Sequence, residues 1–294
     1  MITIKSPAKI NLFLYVTSKR NDGYHELFTL MTFINLYDEI NLKFGGNKIY
    51  VSCKDFDIPE DESNLAYKAA FLFFKRLSTI KTPFKRNNGI SINIKKKIPV
   101  GAGLGGGSSN AAFILKALNK YYGSPFSLSE LMEMGLCIGS DVPFFIHGSP
   151  AIVQGIGERI KAFAPLMTYH VILAFPGINT STSKVFKNFD LRLTKKSKFN
   201  NILLNIGNTN PNFDIKNFLH NDLEIAACKI YSDIRLVKKE MSQILSREVF
   251  MTGSGSSFFV LFSDYKKAKQ NFQKLSNKWK GTCKSIFFTS FACG

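Results

Sequence analysis

The stretch GAGLGGGSSNAA (101–112) leads into apolar residues at helical spacing, Ala111, Ile114, Leu115, Leu118 and Tyr122, and a strand-sized run at 89–94 precedes it. Small residues beside a helix start let backbone N–H groups close around phosphate oxygens, and the positive end of the helix adds attraction. Ser108 or Ser109 is expected near that start. Gly101, Gly103 and Gly106 satisfy the dinucleotide pattern GxGxxG, but no clearly placed acid follows to hold a ribose. Gly107 stands where the Walker pattern requires lysine, and the HRD and DFG elements of protein kinases are missing. A Gly/Ser linker, the bland alternative, is rarely followed directly by an amphipathic helix. Strand, glycine loop and helix therefore read as a phosphate cradle.

Outward from this loop, Ile10, Leu12, Leu14 and Val16 alternate with Asn11, Phe13 and Tyr15, the period of a half-buried strand, with Lys9 on the face of Asn11. Further strands are expected at 27–34, 39–44 and 48–53, and helices at 63–77 and 128–137. Turn chemistry at 148–150 predicts a boundary, giving an α/β chain of two domains, 1–149 and 150–294. The second would hold strands at 151–154, 170–175, 249–251, 257–262 and 284–291, and helices at 214–227, 231–245 and 265–279. The Lys- and Asn-rich stretch 188–211 reads as an exposed loop.

Composition sets outer limits. The 294 residues are 45% hydrophobic and 13% aromatic, which excludes a disordered tail. No run approaches the ~20 apolar residues of a membrane span, and Lys5 and Lys9 interrupt what a signal peptide would keep apolar. Five scattered cysteines without a CxxC pair suggest reduced thiols in a cytoplasmic protein. His25, His147, His170 and His220 share no ligand spacing, so no protein metal site is expected, and any metal arrives with a substrate. The net charge of +18 would draw nucleic acid, acidic membranes or anionic small molecules, or is simply solvated surface.

Three further features carry possible chemistry. Asp141, in IGSDVPFFI, is a lone carboxylate in apolar surroundings: a general base beside a cation, or a helix cap. Lys9 is its natural partner, or else a snorkelling strand lysine. Tyr24 and His25 follow the turn residues Asn21, Asp22 and Gly23, where a ring could stack on a base or serve only the turn. TGSGSS (252–257) is a tight hairpin or a brace for phosphate.

PAKINLFL (7–14), RNDGYHEL (20–27), PVGAGLGGGSSNAA (99–112), GSDVPFF (139–145), NDLE (221–224) and MTGSGSSFF (251–259) occur in this order along nearly the whole chain. Together they resemble the 4-diphosphocytidyl-2-C-methyl-D-erythritol kinase family, within the superfamily of galactokinase, homoserine kinase, mevalonate kinase and phosphomevalonate kinase. The glycine motif is common to the superfamily, whereas PAKINL with DGYHE is selective for the one family.

The resemblance implies a two-domain α/β kinase with an N-terminal nucleotide-binding half and a C-terminal half on a four-stranded antiparallel sheet with helices. It implies transfer from ATP, with Mg²⁺ carried on the nucleotide, to the 2-hydroxyl of a diphosphocytidyl methylerythritol in the non-mevalonate route to isoprenoid precursors. Asp141 matches the base and Lys9 the lysine that favours deprotonation. Pro99, Gly101, Gly103, Leu104, Gly105, Gly106, Gly107, Ser108 and Ser109 match the ATP loop, and Lys96, flanked by Lys95 and Lys97, a nucleotide contact. Tyr24 and Phe186 match the aromatics that sandwich cytosine, His25 and Asn11 polar contacts to the substrate, and Thr182 a hydroxyl by its diphosphate. STSKVF (181–186) departs from the family's PTP-like stretch in lacking the second proline.

Two rivals stand beside this reading. One is a sister kinase for homoserine, mevalonate or a sugar, in which Tyr24 and His25 would have no base to meet. The other is an RNA-binding module drawn by the +18 charge, although no RNP or KH signature is present. The partners expected are small molecules, with no nucleic acid and no membrane; monomer or weak dimer is left open.

Overall fold

A computed structural model describes residues 1–80, 89–163, 166–193, 199–200, 202–203 and 214–292. The chain forms two compact units that are not consecutive in sequence: Met1–Ala8, Leu36–Val100 and Gly105–Ser149 in one, Lys9–Asn35, Gly101–Leu104 and Pro150–Gly294 in the other. Two long strands, β1 (Ile2–Lys19) and β2 (His25–Phe44), run through both. The strands expected at 27–34 and 39–44 are thus one. Asp38, polar and in the middle, is fully buried in the strand instead of breaking it.

In the first unit β3 (Ile49–Ser52) precedes α1 (Leu65–Leu77), which Asn64 caps by accepting from the Ala66 N–H. Next comes β4 (Ile90–Lys95), antiparallel to the far end of β2 and parallel to β3. The glycine loop follows, then α2 (Gly106–Tyr121), α3 (Leu128–Ile138) and the short α4 (Val142–His147). The apolar face read at 111–122 is the buried one: Ala111, Ile114, Leu115 and Leu118 are inaccessible, and Phe73 and Phe74 of α1 meet the Tyr122 ring at centroid distances of 5.9 and 6.0 Å. Helix α4 was not expected, because six residues without a repeat carry no periodicity.

The second unit holds β5 (Ala151–Gly155), paired with β2, and β6 (Arg159–Ala162), paired with β5 across the GIGE turn. Its other sheet comprises β7 (His170–Phe175), β9 (Phe250–Met251), β10 (Phe258–Phe262) and β11 (Ser285–Ser290), antiparallel throughout in the order β11-β7-β10-β9. Helix α5 (Thr182–Lys187) follows β7, and the two-residue β8 (His220–Asn221) pairs parallel with β1. Then come α6 (Leu223–Ile230), α7 (Ser232–Leu245) and α8 (Tyr265–Trp279). Ala226, Ile234, Met241, Leu275 and Trp279 from these helices join Ile172, Phe258 and Val260 in one buried cluster.

The helix expected at 214–227 is instead a 3₁₀ turn at Ile215–Phe218, then β8, then α6. Polar side chains here capture backbone groups: Asp214 accepts from the Lys216 N–H, Asn221 Oδ1 from the Leu223 N–H and Asp222 Oδ2 from the Val16 N–H. The two short-range bonds, at Asp214 and Asn221, compete with a continuous helix, and the bond to Val16 ties the segment to β1. Of the stretch 188–211, residues 194–198, 201 and 204–211 lie outside the described residues; Leu191–Leu193 form a 3₁₀ turn.

Helix α3 starts at a reciprocal cap, in which Ser127 accepts from the Glu130 N–H and Glu130 accepts from the Ser127 N–H at 2.8 Å. Ser127→Ala should lower the unfolding free energy by about 1 kcal/mol in denaturant titration, with turnover unchanged.

Candidate active site

The glycine loop lies between β4 and α2 and passes from one unit to the other after Leu104. In the first unit Gly105, in the left-handed region at φ +69°, caps α2 without any side-chain hydrogen bond. The helix therefore starts at Gly106, and Ser108 and Ser109 lie in its first turn instead of at the cap. A glycine cap leaves the first N–H groups unclaimed by a side chain, which suits an incoming anion. Ser108 is half-buried; Ser109 is inaccessible, and its hydroxyl has no hydrogen-bond partner among the described residues. Pro99 is buried at the loop's entrance and Gly107 is exposed.

Asp141 occupies the position before α4, yet its side chain makes no capping bond to that helix. The cap reading is therefore not realised. Gly139, extended at φ 178°, lies beside the first turn of α2: a Cβ there would sit 3.8 Å from Ser108 Oγ. The turn bearing the half-buried Asp141 thus adjoins the proposed phosphate-binding helix start. Lys96 points inward, with its side chain 4% exposed and its ammonium donating to Asp38.

In the second unit Lys9 is buried, against the snorkelling alternative. Its ammonium donates to Asn11 Oδ1 at 2.7 Å, and Asn11 Nδ2 donates to Thr29 Oγ1 at 2.8 Å. The Asn11 N–H donates to Thr252 Oγ1 at 2.9 Å, which ties this strand to TGSGSS. That segment is the hairpin joining β9 and β10, closed by Thr252 N–H to Ser257 O at 3.0 Å. It also meets the glycine loop. A Cβ on Gly103, at φ +76°, would lie 2.4 Å from Thr252 O, and one on Gly253 would lie 2.9 Å from Gly103 O and 3.3 Å from Lys9 Nζ. Leu104, buried, accepts from the Lys9 N–H at 3.0 Å, and Gly101, at φ +65°, accepts from the Thr180 N–H at 3.2 Å.

The same unit carries the aromatic candidates. Tyr24 is 62% exposed. The His25 ring lies 5.3 Å from that of Phe186, which is half-buried on α5. Burial, with Lys19 nearby, lowers the His25 pKa below its ordinary 6.5, so the ring is neutral at pH 7. Thr182 Oγ1 and Ser254 Oγ share a hydrogen bond of 2.8 Å, joining α5 to TGSGSS.

Sequence reasoning missed Thr29 and Asp38, and gave Ser254 and Asn221, inside TGSGSS and NDLE, no role of their own. Asn221 Nδ2 donates to both Met251 O and Gly253 O, clasping the hairpin behind Lys9. The NDLE motif contained that signal, but nothing local assigned it a partner.

Comparison with known proteins bears on this geometry. The family described as GHMP kinases N terminal domain matches residues 64–149. A 4-diphosphocytidyl-2-C-methyl-D-erythritol kinase of Syntrophus aciditrophicus (strain SB) is 39% identical over 92% of this chain and 93% of its own. One from Clostridium botulinum (strain Eklund 17B / Type B) is 39% identical over 95% and 97%. The chain belongs to the 4-diphosphocytidyl-2-C-methyl-D-erythritol kinase family.

A crystal structure of 4-(cytidine 5'-diphospho)-2C-methyl-D-erythritol kinase superposes with a TM-score of 0.75 at 31% identity, covering 99% of this chain and all of that one. A homoserine kinase from Cytophaga hutchinsonii ATCC 33406, at 17% identity and TM-score 0.69 over 99% of this chain and 94% of that one, shares the fold. The mixed α/β architecture with its four-stranded antiparallel sheet is thus that of the GHMP kinases, which take ATP as co-substrate.

Two outcomes follow. Gly103→Ala forces a Cβ onto two backbone carbonyls, Thr252 O and Gly255 O; if the loop is the phosphate cradle its sequence predicts, the KM for ATP should rise at least about tenfold in steady-state kinetics. A lowered His25 pKa contributes stability above the ordinary value and loses it as pH falls through the lowered one. His25→Gln should therefore lose less Tm than the parent between about pH 7 and 5.

Proposed function

We propose that the chain transfers the γ-phosphoryl group of ATP to the 2-hydroxyl of 4-diphosphocytidyl-2-C-methyl-D-erythritol, with Asp141 as the base and Lys9 favouring loss of the hydroxyl proton. The observation that carries this reading is the left-handed glycine cap of α2 with the Asp141 turn beside its first turn, in a chain of this kinase family. Gly101, Gly103, Leu104, Gly105, Gly106, Gly107, Ser108 and Ser109 would form the ATP loop, entered from Pro99, with Lys96 beneath it.

Phosphoryl transfer passes through a loose transition state, so positioning and charge stabilisation supply most of the rate. Backbone N–H groups at the start of α2 would hold phosphate oxygens without reorganising, because no side chain claims them. Mg²⁺, carried with ATP, would neutralise phosphate charge. Lys9, fixed by Asn11, presents a positive charge that lowers the cost of an alkoxide. Tyr24 and Phe186 would sandwich cytosine, with neutral His25 and Asn11 as polar contacts and Thr182 at the diphosphate. Binding the cytidine end spends remote affinity on aligning the hydroxyl.

We assign the reaction to the cytoplasm. Cys53, Cys137, Cys228 and Cys283 are free thiols, and no helix among the described residues is long and apolar enough to cross a membrane.

Asp141→Asn should lower kcat by about 10²–10⁴-fold while ATP binding, measured by calorimetry, stays within about twofold. Unchanged turnover would remove Asp141 from the base role.

A further inference from the structure

Asp38, on β2, is fully buried and accepts four hydrogen bonds. Oδ1 takes the backbone N–H groups of Lys97 at 2.8 Å and Ile98 at 2.9 Å; Oδ2 takes the Lys96 ammonium and Asn110 Nδ2 at 3.0 Å. Asn110, in the second turn of α2, also donates to Ser6 Oγ at 2.7 Å. One carboxylate therefore fixes the end of β4 and the start of α2, the two segments that the glycine loop connects. Gly106, the first residue of α2, lies directly on this assembly: a Cβ there would come within 3.0 Å of both Lys96 Nζ and Ile98 Cγ2.

Stability alone does not account for this arrangement. Lys96 and Asp38 form a salt bridge in which both side chains are under a tenth exposed, at 4% and 0%. Buried pairs recover little of their desolvation cost compared with apolar residues of similar volume. The ammonium also lies beside Gly106, the first residue of α2, where a cation opposes the helix dipole. An anion at that N-terminus reverses the balance: the dipole and the ammonium then act on it together.

We infer that Asp38 is a positioning residue for nucleotide binding, holding the Lys96 ammonium beneath Gly106 and setting the conformation of the loop that receives the ATP phosphates. Asp38 acts through Lys96 and through the strand end, and touches no substrate itself. The inference rests on the reading of the glycine loop as the ATP cradle.

The test is a double-mutant cycle. In Asp38→Asn with Lys96→Met, the asparagine oxygen can keep the two backbone bonds while the charge pair is removed. This variant should fold, and its KM for ATP should rise about tenfold with the KM for the cytidine substrate within about twofold. Lys96→Met alone should show the same rise, because the two residues act as a unit. An ATP KM near the parent's in the double variant would make the pair a purely structural element. A further tenfold loss on adding Asp38→Asn to Lys96→Met would show Asp38 acting by another route, and either result overturns the proposal. Should the double variant not fold, Asn110→Leu, which cuts the tie from Asp38 to α2 but keeps the pair, must raise the ATP KM alone; an unchanged value overturns the proposal. Calorimetry of ATP with the parent chain separates the underlying reading, since a parent that binds no ATP removes the cradle itself.

Discussion

Two backbones approach too closely for any side chain between them: the glycine loop at Gly103 and the hairpin at Gly253. A Cβ on either would fall within 3 Å of a carbonyl of the other segment. This approach places Lys9 beside Gly253, seats Thr252 against Asn11, and lets Leu104 accept from the strand that carries Lys9. The residues that hold the hairpin are less conspicuous than those it positions. Asn221 takes two of its carbonyls, Thr180 donates to Gly255 O at 2.8 Å, and Ser256 donates to Ile178 O. Lys9 is thus oriented by residues from four separate stretches of chain.

The first unit solves a different problem with similar economy. Glycine at the cap leaves the helix N–H groups unclaimed, while the strand end beneath is fixed by a carboxylate with no solvent exposure. A lysine there opposes the helix dipole, a cost that the anion of the proposed function would reverse.

The glycine loop and its helix were legible because small residues followed by a 3.6-residue repeat have few other meanings. So were β10 and α8, whose buried faces follow their patterns. The cap position was not, since Ser108 and Ser109 look like better caps than Gly105 until the left-handed backbone is seen. The 214–227 segment misled because Asn221 and Asp222 spend their side chains on backbone partners, one of them more than two hundred residues away at Val16. Asp38 was invisible for the same reason: a buried polar residue in a strand is justified only by donors from β4 and α2. Asp141 and Lys9 were legible as residue types, but setting aside the cap for one and the snorkel for the other took their surroundings.

The chemistry needs an acceptor alcohol whose far end is recognised while its hydroxyl is aligned with the γ-phosphate. Sister kinases share the fold, and on the proposed function acceptor choice would rest on Tyr24, His25, Phe186 and Thr182. Phosphorus NMR of the purified chain with MgATP, offering 4-diphosphocytidyl-2-C-methyl-D-erythritol, mevalonate and homoserine in parallel, tests this most directly. The account predicts a new phosphomonoester resonance with the cytidine substrate and none with the other two. A phosphomonoester formed from mevalonate or homoserine, with none from the cytidine substrate, would contradict it.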